Sequence, residues 1–261
     1  MTKFKGLLLD IDGVLTVSWR ALPGAVEAVA ALRKRALALR FLTNTTSRTR
    51  RDIAQALGAA GFDVEAAHIL TAPAATAAYL REHCPQARCY LLSSGAVAAD
   101  LEGVNLVDER QPADVVVIGG AGPEFDYRRL NHVFHLLLDG AALVAMHRNL
   151  LWKTGNGLDL DAGAFIAGLE KAADCEAAVI GKPSGLFFQA ALQALAIDAA
   201  RVLMVGDDME ADVHGAQQAG IAGVLVRTGK FRPSDLDRFS QAPDALLDSI
   251  ADLPAWLDQR S

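Results

Sequence analysis

The sequence predicts an α/β protein built on a parallel sheet covered by helices on both faces, with a second α/β module inserted into it. Three observations carry this. Short apolar runs alternate with amphipathic helical stretches; the apolar runs end abruptly in polar or small residues; and residues 77–179 carry a strand and helix pattern of their own. Continuous apolar strands without in-out alternation are what a sheet buried on both faces requires.

The elements follow in order. "GLLLD" runs into Asp10, "LALRFLTN" into Thr43 and Asn44, "AAVIGKP" into Lys182, "RVLMVGDD" into Asp207 and Asp208, and "AGVLVRTG" into Arg227 and Thr228. Between them, "PGAVEAVAALRKR", "TRRDIAQALGAAG", "PSGLFFQAALQAL" and "EADVHGAQQAG" have helical spacing. The middle stretch has strand-like "CYLLSS", "ADVVVIGG" and "AALVAMH", a helix-like "RRLNHVFHLLLDG" and the glycine-rich "WKTGNGLDLDAGAF". A structureless insertion of that length is uncommon in a compact domain. The expected organisation is therefore one domain from 1–76 and 180–261, interrupted by a module over 77–179. "GGAGPEF" is a poor dinucleotide loop, because Phe125 stands where the third glycine of G-x-G-x-x-G belongs; the complete P-loop pattern is also absent.

Composition bounds the function. With 52% hydrophobic and 21% charged residues the chain reads as globular. Its 25 basic and 31 acidic residues give a net charge of -6, which argues against nonspecific binding to nucleic acid or anionic membranes. No apolar stretch approaches the ~20 residues of a membrane helix. The start, "MTKFKGLLLDIDG", meets acids too soon for a signal peptide, and Cys84, Cys89 and Cys175 read as reduced thiols; both fit a cytoplasmic protein.

In parallel sheets ligands sit at the carboxyl ends of the strands. The ends here collect Asp10, Asp12, Thr43, Asn44, Lys182, Asp207, Asp208 and Asp212. So many carboxylates in one place need a cation, or one of them must stay protonated. A hard divalent ion with oxygen ligands, most simply Mg²⁺, meets the need and recruits an anionic substrate. Lys182 and the ion would stabilise charge on phosphoryl oxygens, with Thr43 and Asn44 as hydrogen-bonding partners. No serine, cysteine or histidine sits with a base in an obvious nucleophile arrangement. Asp10 can attack directly, while Asp12 moves protons.

These residues carry a resemblance to the haloacid dehalogenase (HAD) superfamily. "DIDGVL" resembles its first motif D-x-D-G-[TV]-[LV], Thr43 after an apolar strand its second, Lys182 in "GKP" its third and "GDDMEAD" its fourth, in family order. The large insertion resembles the α/β cap of the NagD-like subgroup, subfamily IIA. "RFLTNTT", "LLLDG" and "VRTGKFRPSD" resemble the branch of phosphatases acting on phospholysine, phosphohistidine and inorganic pyrophosphate. The resemblance implies a Rossmann-like HAD core with an inserted cap that sets substrate specificity. It implies Asp10 as nucleophile and metal ligand, Asp12 as acid/base with its backbone carbonyl on the metal, and Asp207 as a further ligand supported by Asp212. Thr43, Asn44 and Lys182 would form the phosphate-binding set, with Asp10 and Asp12 also facing substrate. Asp208 is open between touching the metal, facing solvent and capping the following helix. The acid at position 12 favours a phosphatase over a dehalogenase.

The chain departs from the subgroup at "AMHRN", where relatives often carry Ala-Thr-Asn. His147, Arg148 and Lys153 could read a substrate anion there, or be solvated surface residues. The expected function is a Mg²⁺-dependent phosphatase for a small phosphorylated compound, pyrophosphate and phosphoramidates included. A homodimer through the cap is expected by analogy. Two rivals stand: a phospho-accepting signalling module, and a binding protein that has kept the fold without useful catalysis.

Overall fold

The computed structural model describes residues 4–154 and 157–260, leaving out the side chains of 152–154. The chain divides into two compact units. One comprises Met1–Thr43, Arg50–Leu70 and Lys182–Ser261; the other comprises Asn44–Thr49 and Thr71–Gly181. Among the described residues no helix is long and apolar enough to cross a membrane.

The first unit is organised by a six-stranded sheet in the order Ala245–Leu247, Ala222–Val226, Val202–Gly206, Gly6–Asp10, Ala38–Thr43, Ile69–Thr71. The four pairings from Ala245–Leu247 through Ala38–Thr43 are parallel. Gly6–Asp10 and Val202–Gly206 are buried at every residue, as expected of central strands covered on both sides. One face packs Leu7, Leu9, Phe41, Leu203, Val205 and Val224 against Val29, Leu32, Ile53 and Leu57 of the Ala25–Arg33 and Arg50–Ala59 helices. Phe41, Phe187 and Phe188 are fully buried, and burial stabilises each by about 1.5–3 kcal/mol. Register then places the polar residues. Asp10 pairs with Leu42 and Leu9 with Val205, so Thr43 and Asp207 both lie just past the same sheet edge as Asp10.

The second unit has its own five-stranded parallel sheet, in the order Ala178–Val179, Ala142–Ala145, Val115–Ile118, Arg88–Leu92, Asn105–Val107. Val116, Ile118, Leu143, Val133 and Ile166 form its core. Its helices are started by side chains: Thr71 accepts from Ala74 N at 3.2 Å, and Asp126 from Arg129 N at 2.8 Å. In the glycine-rich stretch the strands Leu151–Thr154 and Gly157–Leu160 pair antiparallel.

Two local expectations need correction. The strand before Lys182 belongs to the second unit's sheet, where Ala178 and Val179 pair with Val144 and Ala145. A two-residue strand carries too little pattern to reveal which sheet it joins. The stretch after Asp208 is a π-helical turn, Met209–His214, followed by the short helix Gly215–Gln218. Val213 N bonds Asp208 O at 3.3 Å across five residues, the bond that widens the turn.

Candidate active site

Asp10 closes the strand Gly6–Asp10 and is buried. Asp207 follows the adjacent strand, Val202–Gly206, and Asp212 sits in the π-turn beyond it; both are buried too. One carboxylate oxygen from each of these three residues lies within 4.8 Å of the others. Lys182, itself buried, donates to Asp10 and, at 2.6 Å, to Asp212. Three acids thus face one lysine in a water-poor place.

The titration behaviour follows. Burial pushes Asp10 well above the usual carboxylate range, helped by Asp212 and Asp207 and opposed by Lys182. Burial also lifts Asp207, to about 6, with the Asp212 charge adding to it. Burial alone would lower Lys182, but Asp10 and Asp212 outweigh it and hold the ammonium protonated. Asp12, partly exposed, is raised by burial, with Lys182 and Lys230 opposing. Its carboxylate is not one of the three that converge.

The site has the chemistry of a cation pocket. Asp207 Oδ2 accepts from Lys230 N at 2.6 Å, while its buried Oδ1 has no hydrogen-bond partner. A buried acceptor left open beside two further carboxylates is what a hard oxygen-seeking cation satisfies. The donor set fits such an ion.

Backbone geometry keeps the pocket tight. Gly13, at φ +93°, and Gly229, at φ +62°, both press on the Asp207 carboxylate, and a Cβ on either would collide with it. Thr228 Oγ1 donates to Gly13 O at 2.5 Å, tying the two loops together. Gly13, Gly229 and Lys230 stand in "DIDGVL" and "VRTGKFRPSD", but nothing in the sequence marks them as neighbours of Asp207.

Other expected site residues fall out as follows. Thr43 is buried at the end of Ala38–Thr43, the strand beside Asp10. Asn44, next in the chain, is grouped with the second unit. Asp208 is a helix cap: its Oδ1 accepts from Glu210 N at 3.1 Å and Ala211 N at 3.0 Å. It also lies 3.5 Å from Lys230 Nζ. His147 is no surface residue, being only 2% exposed. Arg148 pairs with Glu170. The Lys153 side chain lies outside the described residues, as does that of Trp152.

A parallel sheet with a lysine-braced carboxylate cluster at its carboxyl edge, interrupted by a second parallel-sheet module, defines a hydrolase class with an acidic phosphate-handling centre and a cap. The comparisons with known proteins agree. Residues 7–107 match the family model described as haloacid dehalogenase-like hydrolase, and residues 179–253 match a HAD-hydrolase-like model. Haloacid dehalogenase-like hydrolase domain-containing protein 2 of Bos taurus is 40% identical over 239 residues, covering 92% of this chain and 90% of that protein. Phospholysine phosphohistidine inorganic pyrophosphate phosphatase of Rattus norvegicus is 38% identical over 255 residues, covering 95% and 92%. The solved structure of NagD from E. coli K-12 superposes with a TM-score of 0.88 at 29% identity, covering 97% of this chain and 98% of that one. The chain belongs to the haloacid dehalogenase-like hydrolases, in their NagD-like branch, and is a phosphatase of HAD type.

Proposed function

We propose that the protein is a Mg²⁺-dependent phosphatase that hydrolyses a small phosphorylated compound through an aspartyl-phosphate intermediate. The observation that supports this most is the convergence of Asp10, Asp207 and Asp212 on one point, with Lys182 bonded to two of them. Asp10 attacks phosphorus, forming an acyl phosphate as the bond to the leaving oxygen or nitrogen breaks. Asp12 gives its proton to the leaving group. It then removes a proton from the water that attacks the phosphoenzyme, releasing inorganic phosphate and restoring Asp10. Lys182, Thr43 and Asn44 hold the phosphoryl oxygens. Mg²⁺, held by Asp10, Asp207, Asp212 and the Asp12 carbonyl, supplies charge neutralisation when bound.

Residues 1–76 and 180–261 form the catalytic domain in this reading, and 77–179 the specificity cap. The similarity to the rat phosphatase suggests P–O–P and P–N bonds as substrates. A cytoplasmic location and a homodimer through the cap complete the reading. The exposed Leu150, Leu151, Leu158 and Leu160 offer the cap an apolar contact surface.

The test is phosphate release from sugar phosphates, nucleotides, pyrophosphate and phosphoramidates, each with and without Mg²⁺. Metal-dependent turnover strongest on pyrophosphate or P–N compounds is expected. Turnover without metal would overturn the ion's role. No turnover on any compound would leave a silent phospho-ligand-binding protein.

A further inference from the structure

Every doubly wound sheet has a carboxyl edge suited to a ligand, and the second unit's edge is unusual in what fills it. Four strands, taken in sheet order, end in the loops that begin at Ile180, Met146, Gly119 and Ser93. The segment Asn44–Thr49 runs across these loops in a matching order. Asn44 Oδ1 lies 2.8 Å from where a Cβ on Gly181 would stand. Thr46 Oγ1 presses on Gly120 so closely that a Cβ there would collide with it. Ser47 backbone atoms come within 3.0–3.2 Å of a Cβ placed on Gly95. Three glycines from three loops make room for one passing strand of chain.

Polar groups fasten it. Thr46 and His147 are both buried, with Oγ1 and Nε2 3.5 Å apart. His147 Nδ1 accepts from Asn149 N at 3.3 Å, which assigns the ring proton to Nε2 in the neutral form. Burial lowers His147 and keeps it neutral, with the Asp161 charge opposing. Asp161 Oδ2 stands 3.9 Å from Nε2, while its Oδ1 accepts from Ala121 N at 3.1 Å and Ala162 N at 2.8 Å. One buried carboxylate thereby ties the glycine loop to a helix start and lies beside the histidine.

We propose that the cap's ligand edge serves as a seat for the chain's own Asn44–Thr49 segment, with Gly120, Thr46 and His147 as positioning residues for Asn44. This rests on the reading of Asn44 as a phosphate-binding residue. Asn44 begins the segment and its Oδ1 lies against Gly181, so the setting of the segment bears on the direction of the Asn44 side chain. His147 therefore acts through Thr46, not on substrate.

The experiment pairs Gly120→Ala with Thr46→Ala in the full chain. Two readouts are taken: trypsin cleavage after the exposed Arg48, referenced to cleavage after exposed Arg110, and kcat and KM for 4-nitrophenyl phosphate. Gly120→Ala should raise Arg48 cleavage and lower kcat/KM by about tenfold each, because local release exposes the bond and misplaces Asn44. Adding Thr46→Ala removes the colliding oxygen, so the double variant should return to within about twofold of Thr46→Ala alone, a non-additivity that general destabilisation does not give. Unchanged Arg48 cleavage in Gly120→Ala overturns the seat, whatever the activity. Raised cleavage with unchanged kcat/KM overturns the positioning of Asn44. A wild-type chain that releases no phosphate from any compound overturns the phosphatase reading instead, and the Arg48 readout still decides the seat.

Discussion

The two units share a plan and use it in opposite ways. Each is a parallel sheet whose loops gather at the carboxyl edge. In the first unit that edge carries charge: three buried carboxylates, a buried lysine and a buried carboxylate oxygen without a partner. In the second it carries Gly95, Gly120 and Gly181, with a neutral histidine, and a piece of the same chain lies over them. Architecture alone says where something will be bound; the side chains at the edge say whether it is an anion and an ion or a peptide segment.

Three substitutions test that contrast. The largest effect belongs to Asp10→Asn, which removes the proposed nucleophile: turnover should fall by at least about a thousandfold, with the circular dichroism spectrum unchanged. Retention of most activity would erase the chemical distinction between the two edges. Next comes Lys182→Met, which leaves Asp10 and Asp212 facing each other without their cation. Denaturant unfolding should show a loss of about 3 kcal/mol. Added Mg²⁺ should narrow that loss by binding the folded carboxylates, and a Mg²⁺-independent deficit would argue against the ion site.

The smallest effect lies at the second edge. Burial depresses His147, so the folded state holds it neutral while the unfolded chain takes up a proton more readily. Stability from this residue is present above the ordinary histidine value, about 6.5, and is lost as pH falls below it. Unfolding midpoints at pH 7.5 and 5.5 should differ more in the wild type than in His147→Gln. An equal difference would remove the histidine from the account.

Much of this was legible in the sequence. The places of Asp10 and Asp207 at strand ends were readable because the fully buried strands before them leave an uninterrupted apolar signature, whereas Arg40 breaks that signature in the strand ending at Thr43. The reading that brings Lys182 to Asp10 and Asp212 rested on a partly mistaken reason: the strand before it belongs to the other sheet, and pairing partners are invisible in a two-residue run. The helical reading of 210–220 missed the π-turn, because the Val213 N to Asp208 O bond that widens it is a backbone choice that periodicity does not encode. His147 looked like a surface or substrate-facing residue because its burial depends on Thr46 and Asp161, both remote in sequence. Gly13 and Gly229 were passed over for a related reason. A glycine's importance lies in what approaches it, and here that is Asp207.

The pairing of Gly6 with Val202 has a consequence for synthesis. A ribosome delivers every strand of the second unit's sheet by residue 179, before Val202–Gly206, one of the two neighbours of the Gly6–Asp10 strand, has been made. That sheet draws on shorter sequence separations and has the faster route to its final pairing. Asp10 can meet the Ala38–Thr43 strand early, but its carboxylate companions Asp207 and Asp212 emerge only later. All strands of the second sheet are thus made while the acidic centre still lacks two of its three carboxylates.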